Sequence, residues 1–264
     1  MISDQIGRRV TRRSVMGAAW QIPVAAALLS QGLTLTAIPV MAQDGTTVLN
    51  WSLEGVSDLV SLDPATASDA QGFTAVGLLY GGLVRLNADL LVEPDLAESW
   101  TVSDDGMAYT FTLREGAKFS DGSPITSADV VASLNHALDP STGAWTGPYY
   151  LALIEGANAV AASGSEGPDG TPMPVVTEIS GVKAVDDRTV EIRITQPSAY
   201  FLSVLSLAPA KIAPAAGAGD GKVTSGPFAL EAWNKGLGLV LVPIANYWEP
   251  ADKLSIVNLI FNQD

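Results

Sequence analysis

The chain has 264 residues, no cysteine and a single histidine, His136. Without cysteine there is no disulfide, no thiolate nucleophile and no cysteine to carry a lipid behind a signal peptide. One histidine excludes a multi-histidine zinc site and leaves only His136 for a serine–histidine triad. Charge is scarce as well: Asp, Glu, Lys and Arg make up 16% of the residues, with 14 basic against 28 acidic and a net charge of −14. Such a chain lacks the basic footprint that neutralises phosphates, so no nucleic-acid partner is expected. These shortages lean away from common hydrolytic and redox machinery. What is abundant is apolar: hydrophobic residues are 47% of the chain, enough for a real core. The length suits one or two domains.

The N-terminus differs in kind from the rest. Arg8, Arg9, Arg12 and Arg13 precede an apolar stretch from Val15 to Val40, broken only by Gln21, Gln31 and small hydroxyl residues. Val40–Ala42 then offers a small-residue end before Gln43. A basic start, an apolar middle and a small-residue end describe an export signal over residues 1–42. "TRRSVM" resembles the twin-arginine type. The alternative is a permanent membrane anchor, since the stretch is long enough to span. On either reading Gln43 onward lies outside the cytoplasm, which points to the periplasm.

Further along, "TTVLNWSL" from Thr46 predicts a strand, and "DLVSLDPATASDAQG" a loop with a turn at Asp63-Pro64. Val76, Leu79, Tyr80 and Leu83 suit a helix ended by Gly81-Gly82, and "EPDLAESW" reads as a short connector. Tyr109, Phe111 and Leu113 alternate with Thr110, Thr112 and Arg114, the pattern of a half-buried strand. Gly116, Asp121-Gly122 and Pro124 turn the chain twice. Thr126 and Asp129 form a capping box for a helix whose apolar face is Val130, Leu134, Ala137 and Leu138. Asp139-Pro140 ends it. The Gly/Pro/Ser-rich stretch from Ala161 predicts an exposed loop whose acids, Glu166 and Asp169, do not make a calcium loop. Hairpins follow around Asp186-Asp187, with Val190, Ile192 and Ile194 inward, and around Asn234-Lys235-Gly236. "LSIVNLIFNQD" is a last strand. Strands dominate, helices are few, and there is no internal repeat.

The segments "LDP", "LYGGLVRL", "EPDLAESW", "SDDGMAYTFTLREGAKFSDGSPITSADVVASL", "VDDRTVEIRI", "SGPFALEAW" and "ANYW" occur in this order. By that series the chain resembles family 5 of the bacterial extracellular solute-binding proteins, the periplasmic dipeptide-, oligopeptide- and nickel-binding components of ATP-driven importers. The resemblance implies a mixed α/β (α+β) lobe of the periplasmic-binding-protein kind. It implies a discontinuous domain I over 43–83 and 197–264, with domain II inserted over 84–196. Members of the family are about twice this length, so a truncation after domains I and II is expected, with the second lobe missing.

The resemblance also implies site residues. In peptide-binding members the loop after "LDP" pairs its backbone with an extended peptide, and the matching positions are Ser68, Asp69 and Ala70. An aromatic in a Pro-Tyr pair after the domain II helix touches ligand in some members, which matches Tyr149 with Trp145 nearby. The alternatives are an ordinary surface turn and two rings packed in the core. Trp100, Trp233 and Trp248 read as core. His136 reads as a surface or satisfied side chain, and Asp104-Asp105 and Asp186-Asp187 as turn formers. Gly81-Gly82 and Gly236-x-Gly238 lack the strand-to-helix setting of a phosphate-binding loop. The expected function is capture of a peptide-like solute and its delivery to an inner-membrane ABC permease, by a monomer without cofactor, metal or catalytic residue. Two other readings are a non-binding truncated remnant and an extracytoplasmic carboxylate-based hydrolase, although nothing in the sequence pairs two acids.

Overall fold

Alternation and turn chemistry account for most elements of the computed structural model, which describes residues 47–165, 175–214, 221–245, 247–249 and 254–263. The segment 1–42 and the acids Glu166 and Asp169 lie outside the described residues. The described residues belong to one compact unit, Gly45–Asp264.

Two four-stranded sheets organise it. In the first, β1 (Val48–Glu54) runs parallel to β10 (Ile256–Asn262), with Val48 opposite Ile256. β9 (Gly238–Pro243) and β8 (Phe228–Asn234) continue it antiparallel, in the order β1-β10-β9-β8. The second is wholly antiparallel, with β4 (Ala97–Val102), β5 (Ala108–Leu113), β7 (Thr189–Arg193) and β6 (Val182–Asp186) side by side in that order. A ribbon of β2 (Val84–Leu86) and β3 (Val92–Pro94) lies between them in sequence. The expected connector "EPDLAESW" is therefore largely strand. Its outward residues hide the alternation, and the ladder to β5 makes β4 a strand.

The helix α1 (Ala70–Leu79) starts earlier than its apolar spacing indicates. An Asp69 carboxylate oxygen accepts the Gly72 N–H at 2.7 Å. That cap draws Ala70 and Gln71, expected in a loop, into the first turn. The helix α2 (Ser127–Leu138) begins as expected. The Asp129 carboxylate accepts both the Thr126 N–H and its hydroxyl, each at 2.8 Å. Three short helices carry no signal in the sequence: α3 (Thr146–Tyr150), α4 (Ala157–Ala161) and α5 (Phe201–Val204). None is long enough for a helical period to show. Ala161, expected to open a loop, closes α4 instead.

Each sheet has its own core. The first packs Val76, Leu79 and Tyr80, at the end of α1, against Leu241 and Leu259. The second gathers Phe111, Leu134, Leu138, Leu151 and Phe201 around α2. Burying each such side chain contributes about 1.5–3 kcal/mol. Trp100 and Trp248 pack half-buried against the second core and Trp233 against the first. Among the described residues, no helix is long and apolar enough to cross a membrane.

Candidate functional site

Asp63 folds the loop that leads to α1. One of its carboxylate oxygens accepts the Ala65 N–H at 2.9 Å, and its carbonyl accepts the N–H groups of Thr66 and Ala67, both at 3.1 Å. The other carboxylate oxygen lies 2.7 Å from His136 Nε2 on α2. That hydrogen bond, more than any other influence, raises the pKa of the imidazole from its usual value, against the opposing effect of burial. His136 is thus a satisfied side chain, and its partner sits in the "LDP" turn. Nothing in the sequence joins residues so far apart.

A second tie comes from α3. The buried Thr146 hydroxyl lies 3.1 Å from the Ala65 carbonyl and 3.3 Å from that of Ala67, where it donates. Gly147 lets α3 sit against the end of α2, since a Cβ there would fall 1.8 Å from the Ala137 carbonyl oxygen. Trp145 and Tyr149 flank this anchor. They are 57% and 70% exposed, so neither is a core ring. Their centroids are 6.2 Å apart, edge to face, and Tyr149 meets Tyr150 in the same way at 5.0 Å. The structure therefore brings the two sets of expected site residues onto neighbouring elements.

Within the loop, Ser68, Asp69 and Ala70 are all exposed. Asp69 is already committed, its carboxylate to Gly72 and its carbonyl to the Phe73 N–H at 2.9 Å. The Ala70 carbonyl accepts the Thr74 hydroxyl at 2.8 Å. Ser68 makes no hydrogen bond to a described residue, so its main chain keeps both a donor and an acceptor for another chain.

Elsewhere the acids behave as turn formers. The Ser103 hydroxyl and the Met107 N–H hold the Asp105 carboxyl below its ordinary range, and the Arg188 N–H does the same for Asp186. Among the described residues, no group of three or more His, Asp or Glu side chains is placed to hold a metal ion.

The family described as Bacterial extracellular solute-binding proteins, family 5 Middle, matches residues 92–264. The glutathione-binding protein GsiB of Escherichia coli (strain K12) is 33% identical over 201 residues, 74% of this chain and 34% of that protein. The chain thus spans about a third of the length of the curated relative. Among solved structures, the Escherichia coli murein tripeptide binding protein MppA superposes with a TM-score of 0.70 at 28% identity, over 82% of this chain and 42% of that one. Listeria monocytogenes OppA bound to peptide gives a TM-score of 0.70 at 30% identity, over 83% and 43%. The mixed α/β fold is that of the periplasmic binding proteins, and the chain belongs to the bacterial extracellular solute-binding proteins of family 5.

Proposed function

We propose that this chain captures a peptide-like solute outside the cytoplasm and supplies it to an inner-membrane ABC permease. The observation that carries this reading is the exposed pair Trp145 and Tyr149 on a helix that Thr146 ties to the loop carrying Ser68. An extended peptide has unpaired N–H and C=O groups along its length, and a fixed main-chain donor and acceptor read them without regard to side chain. Flat aromatic faces cover apolar side chains at little entropic cost. Relatives named for glutathione and murein tripeptide, and an OppA bound to peptide, support a peptide-like ligand. The twin-arginine-like segment 1–42 supports export to the periplasm.

The domain division follows the same reading. All strands of the β4-β5-β7-β6 sheet fall inside 84–196, and all strands of the other four-stranded sheet fall outside it. We take 84–196 as an inserted domain II within domain I (43–83 and 197–264). Solute capture needs no chemical step; differential affinity for two states of the binding protein suffices.

Native mass spectrometry of the purified chain with a mixed di- to pentapeptide pool tests the proposal. Retained peptides are expected, and Tyr149→Ala and Trp145→Ala should each weaken retention by about tenfold, the effect of losing an aromatic anchor. Equal retention by the variants and the unaltered chain would sink the assigned face; no retention at all would sink capture by this chain.

A further inference from the structure

A cavity of about 580 Å³ opens beside α1 and β2, and shares no lining residue with the loop and aromatic pair described above. Phe73, Leu86, Leu207 and Pro227 give it apolar walls, and four charged side chains are among its other lining residues. Three of these are already paired. Arg85 donates from Nε to Glu93 at 2.7 Å and from Nη1 to Glu249. Asp95 accepts the Gly82 N–H at 2.9 Å and the Tyr247 hydroxyl at 3.1 Å.

Lys211 is the exception. It is 8% exposed, it lines the cavity, and its ammonium makes neither a hydrogen bond nor an ion pair with any described residue. Burial holds it below the usual lysine range, while the Asp95 charge pulls the other way. A largely buried cation without a hydrogen-bonded counter-charge carries a desolvation cost, which the Asp95 charge offsets only in part. An anion entering the cavity would offset that cost.

We propose that this cavity binds a small monocarboxylate with an apolar body, its carboxylate seated on the Lys211 ammonium. Asp95 and Glu249 in the wall repel a second negative charge, which selects a monoanion over a phosphate dianion. The four apolar residues take the rest of the molecule. The proposal stands apart from peptide capture, because it uses none of the residues assigned to that function.

Hexanoate and its neutral isostere hexanamide are suitable probes. In the full chain labelled with ¹³C at lysine Cε, the Lys211 resonance is identified as the one missing from Lys211→Met. Hexanoate should shift it and raise its titration midpoint, hexanamide should do neither, and Tyr149→Ala should leave the response in place. In calorimetry, Lys211→Met should bind hexanoate at least about tenfold more weakly, as expected for losing a charged hydrogen bond. The proposal is overturned by no response to hexanoate, by an equal response to hexanamide, or by loss of the response in Tyr149→Ala. If Lys211→Met does not fold, calorimetry of the unaltered chain still decides: the proposal is overturned if hexanoate does not bind, or if hexanamide binds equally well.

Discussion

Thr146 and Gly147 hold the aromatic pair in position, and neither looks remarkable as a letter in "WTGPYY". Thr146→Val keeps the shape but leaves the buried carbonyls of Ala65 and Ala67 without that donor. A loss of about 1–3 kcal/mol is expected in urea denaturation. Gly147→Ala should cost more, because the obstructing atom is backbone and cannot swing aside. His136 gives a prediction in pH. Its pKa is raised in the folded state, so its contribution to stability is complete below its unfolded value of 6.5 and is lost as pH rises through the higher folded value. Denaturation midpoints should therefore fall between mildly acidic and mildly alkaline pH by more in the unaltered chain than in His136→Gln. A flat difference between the two would remove the Asp63 pairing from the account. At this scale the sequence is only partly legible. The positions of Tyr149 and Ser68 follow from the family resemblance, whereas their support by Thr146 and the burial of Lys211 arise from contacts between distant segments.

The elements that could be anticipated are those whose local signals agree with their surroundings. β5 shows strict alternation, and α2 has a cap, an apolar face and a stop. Asp129→Ala removes the acceptor of both Thr126 hydrogen bonds and should lower stability by about 1 kcal/mol, read as a shift in the thermal midpoint. β4 could not be anticipated because its strand character comes from β5. The short helices α3, α4 and α5 are single turns held by tertiary packing, since helices of that length do not persist alone. The start of α1 is not legible in the sequence, because the Asp69 cap looks the same there as a turn-forming Asp.

For the molecule as a whole, the two cores are tied through the Gly81-Gly82 turn. The Gly81 N–H donates to the Ser225 hydroxyl at 3.0 Å, and its carbonyl accepts the Ile212 N–H at 2.8 Å. Leu259→Ala in one core and Phe111→Ala in the other should each cost about 2–5 kcal/mol. Both should lower one shared calorimetric transition; two transitions moving separately would show that the cores are independent. The order of pairing also bears on synthesis. Among the described residues β1 pairs only with β10, and the Asn258 side-chain amide donates to Asn50, 208 residues earlier, at 2.8 Å. At about 5–20 residues per second, β1 leaves the ribosome roughly 10–40 s before its partner exists. Leu49 and Trp51 stay without that neighbour throughout, so the newborn strand presents an unpaired edge until β10 has been made.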